Sequence, residues 1–218
     1  MWRKRIIQLA TVFSVTAVLP LIAVAKAGVL FKREGAFVAC GQLLSLVPGR
    51  IGVFFRRGFY MFTLRRFSAN AHIDFGSYFS KSGAAVGDRV WIGGNSVVGY
   101  ATIGDDSVIG SRVSVISGKR QHNFADPRRK ILDGTGEYSC VTIGENVFVG
   151  EQSLVMADVG SKSIVGAGSV VVKAIPAFSV AVGNPARVIK SRYPLSVIRP
   201  KERQRGRHQK YGRSLLQY

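Results

Sequence analysis

Val86-Gly87-Asp88-Arg89-Val90-Trp91-Ile92-Gly93-Gly94-Asn95-Ser96-Val97-Val98-Gly99 reads with a period of six. Branched apolar residues recur at Val86, Ile92 and Val98. They recur again at Val97, Ile103, Ile109 and Val115, at Ile143, Val149 and Val155, and at Val159, Val165 and Val171. A glycine follows many of them, as at Gly87, Gly93, Gly104, Gly110, Gly144, Gly150 and Gly166, and a second small or branched residue often sits four after the first, as at Val90, Ser96, Ser107, Val147 and Ser153. Six is the period of neither a helix nor a strand; it belongs to a chain that turns a corner after every short strand. The branched residue then points into a narrow prism, and the glycine gives the corner its freedom of φ and ψ. Three hexads close a triangular coil, and stacked coils share one apolar core. The expected fold is an all-β solenoid.

Outside the repeat the composition changes. The net charge of +19 is carried by the two ends: residues 1–72 hold eleven Lys and Arg against Glu34, residues 73–186 are neutral, and residues 187–218 hold ten Lys and Arg against Glu202. Basic arms on a neutral body suit anionic lipid head groups or nucleic acid. The two cysteines, Cys40 and Cys140, give neither a disulfide framework nor a zinc spacing.

Arg3-Lys4-Arg5 precede twenty uncharged residues, Ile6 to Ala25. As a helix these span about 30 Å, one hydrocarbon core. Ala23-Val24-Ala25 also fits a leader cleavage site, but a second apolar stretch, Gly35 to Gly49, follows at once. Ile51 to Leu64, with Arg56 and Arg57 among Phe and Tyr, reads as an interfacial helix with snorkelling arginines. Pro20 and Pro48 are each expected to kink or break a helix. Residues 1–69 are therefore expected to be membrane-associated hydrophobic and amphipathic helices, as a re-entrant or hairpin anchor. Residues 193–218 are expected to form a basic tail. Between Arg199 and Arg213 the tail has one tyrosine, Tyr211, and no nucleic-acid motif, so it is read as facing lipid and not nucleic acid.

After Val115 the register stops, and it resumes at Ile143. A loop over residues 117–140 leaving a rigid solenoid points to function. It carries Ser117-Gly118-Lys119-Arg120-Gln121-His122, then Asp126-Pro127-Arg128-Arg129. A histidine titrates near neutrality and can take and return a proton. The same residue could equally be an idle surface side chain.

These pieces, with Val165-Gly166-Ala167-Gly168-Ser169-Val170-Val171-Val172-Lys173, Ile175-Pro176 and Gly183-Asn184-Pro185-Ala186-Arg187-Val188-Ile189-Lys190, resemble a hexapeptide-repeat acyltransferase of the left-handed parallel β-helix type. Within that superfamily the chain is similar to membrane-associated enzymes of exopolysaccharide, capsule and O-antigen pathways. The resemblance covers residues 70–192 most firmly. It implies N-terminal hydrophobic helices ahead of the solenoid and acyl transfer, in the first instance acetyl, from a coenzyme A thioester to a hydroxyl of a saccharide or lipid-linked saccharide. It implies His122 as general base without an acyl-enzyme, and contacts to acetyl-CoA from Ala167, Gly168, Lys173, Arg187 and Lys190. Asn95, Asp126 and Arg128 are the acceptor candidates. A homotrimer at the cytoplasmic face of the inner membrane is expected, with membrane lipids as partners and no metal. A γ-class carbonic anhydrase on the same fold needs three converging histidines, and the repeat body holds one. A nucleotidyltransferase with a β-helix appendage needs a Rossmann-like domain that residues 1–70 do not supply. The rival of another class is a non-catalytic, membrane-bound β-helix scaffold, which has no need of the His122 loop.

Overall fold

A computed structural model describes residues 2–119 and 136–193 and, between them, Gln121, Arg128, Lys130 and Gly134; for residues 2–13 it describes backbone alone. Three helices precede the repeat: α1 (Trp2–Leu30), α2 (Glu34–Ser45) and α3 (Gly49–Thr63). Among the described residues sixteen short strands follow, on three faces. Face one carries β1 (Arg66–Phe67), β4 (Ala85–Val86), β7 (Ala101–Ile103) and β10 (Val141–Ile143), and is continued by bridges at Val159 and Ile175. Face two carries β2 (His72–Ile73), β5 (Trp91–Ile92), β8 (Val108–Ile109), β11 (Phe148–Val149), β13 (Ile164–Val165), β15 (Ser179–Val182) and β16 (Arg187–Ser191). Face three carries β3 (Tyr78–Phe79), β6 (Val97–Val98), β9 (Ser114–Val115), β12 (Leu154–Val155) and β14 (Val170–Val171). All neighbours pair in parallel except β16, which folds back antiparallel on β15. The result is a parallel solenoid of about five turns.

The inward ladder is Phe67, Val86, Ile103 and Ile143 on face one, Ile73, Ile92, Ile109 and Val149 on face two, and Phe79, Val98, Val115 and Val155 on face three, all buried. Each face gives the ladder one large apolar side chain per coil, with Val90, Val113 and Val147 buried beside it, and every methylene removed from water stabilises the prism by about 0.8 kcal/mol. Buried serines complete the interior: Ser107 Oγ donates to Gly144 O (2.8 Å) and accepts from Val147 N (3.1 Å), bridging successive coils. A buried polar atom satisfied twice in this way escapes the penalty of an unpaired one.

The corner glycines act differently from the expectation. Gly87, Gly93, Gly104, Gly110, Gly144 and Gly150 do not have positive φ; the residue two later does, at Arg89, Asn95, Asp106, Arg112, Asn146 and Gln152. A Cβ on Gly150 would run into the backbone of Ala167 in the next coil. Glycine is required there by the spacing between coils, about 4.8 Å, and not by torsion. Val97 also leaves the inward set; it faces out beside the buried Val98.

The helices close the first coil. Phe37 and Phe59 pack ring to ring on each other and on Tyr60, and Tyr60 in turn meets Phe67 and Phe79, with centroids 4.8–6.2 Å apart. Arg56 does not snorkel: it is 0% exposed. Its guanidinium donates to the carbonyls of Ile73 (3.1 Å), Leu44 (3.0 Å) and Val47 (2.8 Å), tying the end of α2 to β2. Burial lowers its pKa, Asp74 opposing. α1 runs through Pro20 as one helix, whereas Pro48 separates α2 from α3 as the residue capping α3. Among the described residues no helix is long and apolar enough to cross a membrane.

Candidate functional site

The prism has two regular edges and one irregular edge. From face one to face two the inward residues are six apart in every coil: Phe67 to Ile73, Val86 to Ile92, Ile103 to Ile109, Ile143 to Val149, Val159 to Val165. From face two to face three they are again six apart, from Ile73 to Phe79 through Val165 to Val171. Every turn on these two edges except the first, Phe67 to Ile73, holds one left-handed residue, and from Asn95 onward its N–H donates to the coil before, as Arg112 N does to Gly94 O and Gly168 N to Glu151 O (both 2.8 Å). From face three back to face one the spacing is never six: seven from Phe79 to Val86, five from Val98 to Ile103 and four from both Val155 to Val159 and Val171 to Ile175. Between Val115 and Ile143 the loop leaves the prism on this third edge.

The root of the loop is fixed. Ser139 N donates to Ser117 O (3.0 Å), Tyr100 N donates to Ser117 Oγ (2.8 Å), and Val141 N donates to Tyr100 O (3.0 Å). Gln121 Nε2 donates to Gly118 O (3.3 Å), and Gly136 lies against the Gln121 carbonyl, where a Cβ would not fit. Below this root the four-residue turns recess the edge and leave a cleft of about 410 Å³. Lys119, Glu137, Ser139 and Cys140 wall it on the loop side, and Met156, Ala157, Asp158 and Ala174 floor it. Asp158 Oδ1 accepts from Thr142 N (2.7 Å), so this carboxylate is held at the rim. The cleft thus offers an apolar floor, a cation and two carboxylates beside a loop, a setting that could seat a small polar molecule.

The predicted residues are not gathered in one place. Lys173 is exposed on the third edge, next to Ala174 of the cleft floor. Ala167 and Gly168 are exposed on the second edge in the fifth coil. Asn95 stands on that same edge in the second coil, three coil spacings or about 14 Å away. Its left-handed backbone (φ 58°) gives it a structural role, since asparagine tolerates that conformation. Arg187 and Lys190 are exposed on β16, over face two. Arg128 is exposed. His122 and Asp126 lie outside the described residues. The floor residues Met156 and Asp158 escaped the sequence reading, though the shortened spacing from Val155 to Val159 marks the recess they occupy. Among the described residues no group of three or more His, Cys, Asp and Glu side chains is placed to hold a metal ion.

With this geometry in hand, comparisons place the fold. The hexapeptide repeat of succinyl-transferase matches residues 83–115 and 140–173. The bifunctional protein GlmU of Streptococcus uberis is 34% identical over 126 residues, which are 57% of this chain and 24% of that one. Its counterpart from Streptococcus equi subsp. zooepidemicus is 33% identical over 104 residues, 47% of this chain and 21% of that one. The chain thus spans about a quarter of the length of the curated relatives it matches. A galactoside acetyltransferase in complex with coenzyme A superposes with a TM-score of 0.61 at 25% identity, covering 72% of this chain and 82% of that one. A maltose O-acetyltransferase from Clostridium difficile shares the fold (TM-score 0.65, 23% identity, 77% and 90% covered). Residues 83–115 and 140–173 thus match the hexapeptide repeat, and the architecture of the solenoid matches that of the left-handed β-helix acetyltransferases.

Proposed function

We propose that this protein transfers an acyl group, acetyl in the first instance, from coenzyme A to a saccharide hydroxyl in the making of a cell-surface polysaccharide, at the cytoplasmic face of the inner membrane. The observation that carries the reading is the cleft at the one irregular edge, walled by the root of the loop that contains His122. Gln121, immediately before His122, packs against Gly136, the neighbour of the cleft residue Glu137. In this reading His122 takes the proton of the acceptor hydroxyl as its oxygen attacks the thioester carbonyl. The new ester bond forms, the thioester bond breaks, and the thiol leaves with the proton that His122 returns. The likeness to a galactoside acetyltransferase in complex with coenzyme A supports the choice of donor.

The residues present fit a coenzyme A thioester. Lys173 is an exposed cation at the margin of the cleft, and Arg187 and Lys190 are exposed cations suited to phosphates. Ala167 and Gly168 present bare backbone, with open space where a Gly168 side chain would be. Lys173 lies on the third edge, Ala167 and Gly168 on the second, and Arg187 and Lys190 on β16, and the proposed association of three copies would let the groups of one copy act with those of the next. Membrane attachment is supported by the exposed Leu19, Val24, Leu30, Phe31, Leu46 and Ile51 of the helices, with Lys26, Lys32, Arg33 and Arg50 among them. The test is thiol release from acetyl-CoA in the presence of candidate saccharides. His122→Ala is expected to lose roughly 10²–10⁴-fold with an unchanged melting temperature. Equal turnover by the variant would remove His122 from the mechanism.

A further inference from the structure

We propose that residues 194–203, the start of the basic tail, fold back along the edge between faces one and two and cover the outer side of face two. The proposal is independent of acyl transfer, and it replaces the expectation that this part of the tail faces lipid. Face two carries an exposed apolar stripe. Trp91 (48% exposed), Val108 (38%) and Phe148 (45%) stand on successive coils, Trp91 paired with Val108 and Val108 with Phe148. The outward positions of face one are small or polar by contrast: Arg66, Ala85, Thr102 and Thr142. Contiguous apolar surface of this kind marks a place where something else packs.

The edge that borders this stripe is acidic. Its turns carry Asp88, Asp105, Asp106 and Glu145, four carboxylates against two cations, Arg89 and Lys162. Arg89 pairs with Asp88 (2.8 Å) and Asp106 (2.6 Å), and Lys162 lies 3.7 Å from Glu145. The end of the described chain already follows this column. Arg192 N donates to Phe178 O, on the last of these turns, and Arg192 Nη1 reaches one coil further back to Lys162 O (both 2.7 Å). The Tyr193 ring packs edge-on against Phe178, centroids 4.8 Å apart. The chain is therefore tethered at the top of the acidic edge, with its first tail cation already pointed down it.

Length and charge select the occupant. From Phe178 the edge passes Lys162, Asn146 and Asp106 to Arg89, four coil spacings or about 19 Å. An extended chain covers that distance in about six residues and a less extended one in about ten. The residues after Tyr193 are Pro194-Leu195-Ser196-Val197-Ile198, then Arg199, Lys201 and Arg203 on alternate positions. The apolar residues thus come first, beside Phe148 and Val108, and the cations arrive among Asp105, Asp106 and Asp88. Exposed ion pairs are individually weak, but a segment tethered at Tyr193 meets its partners at high effective concentration. An anionic membrane would satisfy the cations and leave the stripe bare. A second copy on the stripe would leave the carboxylates unanswered. The tail matches both.

Crosslinking tests this without requiring turnover. Benzoylphenylalanine replaces the exposed Phe148 in the full chain, held in phosphatidylcholine nanodiscs. Mixing copies made with ordinary and with heavy nitrogen separates links within one chain from links between chains. Links to residues 194–203 of the same chain are expected, with a yield that falls at least threefold or so as NaCl rises from about 50 mM to about 1 M. Arg199→Glu combined with Lys201→Glu and Arg203→Glu is expected to lower the low-salt yield by a similar factor. Leu195→Ser combined with Val197→Ser and Ile198→Ser is expected to lower it at both salt concentrations. Acrylamide quenching of Trp91, read with Trp2→Phe so that one indole remains, is expected to rise about twofold in the charge-reversed chain. Replacing part of the phosphatidylcholine by phosphatidylserine is expected to leave the link in place. Loss of the link there assigns the tail to the membrane and overturns the inference. Links to face two of a second copy, or a yield indifferent to salt and to charge reversal, overturn it as well.

Discussion

The regular edges of the prism and its third edge are built from the same strands but obey different constraints. On the regular edges every turn has one length, nearly every turn has one left-handed residue, and most place a glycine against the next coil. Stacking demands this, because a side chain at Gly150 would collide with backbone that the adjacent coil cannot move. On the third edge the spacing runs from seven to five, then to the long loop, then to four and four, so no neighbour enforces a template. An edge free of that constraint can hold a long loop and a recess without harming the core. The comparison teaches that in this molecule regularity marks the stacked scaffold and irregularity marks the edge where the proposed site lies.

The strongest way to break that comparison is to replace residues 119–137 by a short Gly-Asn turn. Acyl transfer is expected to fall by roughly 10²-fold or more, while unfolding free energy changes by no more than about 1 kcal/mol, read by thiol release and by denaturant melts. A large loss of stability would mean that the loop is part of the scaffold. The opposite perturbation is Ile109→Ala, a fully buried member of the inward ladder. It is expected to destabilise by about 2–5 kcal/mol, with kcat retained in the folded fraction.

A smaller effect separates turn geometry from acceptor binding on a regular edge. Asn95→Gly is expected to leave both stability and acceptor KM unchanged, whereas Asn95→Ala loses about 1 kcal/mol because alanine is strained at φ 58°. A raised KM in the glycine variant would show that Asn95 contacts the acceptor.

The smallest effect is a pH dependence on face two. His72 stacks on Trp91 with centroids 3.7 Å apart, and burial lowers its pKa; Asp74 acts in the opposite sense, while Arg57 and Arg56 add to the lowering. A depressed folded value means that stability is full above the unfolded value of about 6.5 and is lost as pH falls below it. His72→Phe should therefore shrink the drop in melting temperature between pH 7.5 and 5. An identical drop in the variant would show that the stack does not report the proton.

The inward ladder was legible because branched residues six apart have no other economical arrangement, and the interruption after Val115 was legible as a break in that pattern. The slip near Val98 and the shortened step from Val155 to Val159 also lay in plain view as departures from the repeat. Their meaning did not, since both fall on the same edge only once the coils are stacked. Arg56 misled for a related reason. An arginine among aromatic residues fits a lipid interface as well as a buried clamp, and only the carbonyls of Leu44, Val47 and Ile73 converging on it decide between them.

The amino-acid sequence by itself determined the period, the core and the place of the loop, because side-chain volume and the need to bury apolar surface act locally and repeat with the chain. The tertiary structure alone decided that one edge is irregular, that Lys173 stands beside the loop while Ala167 and Gly168 stand on another edge, and that Asp88, Asp105, Asp106 and Glu145 share the edge beside the Trp91 stripe. Those relations depend on how coils are rotated and stacked in space, and residues distant along the chain carry no local signal of the edge they will come to share.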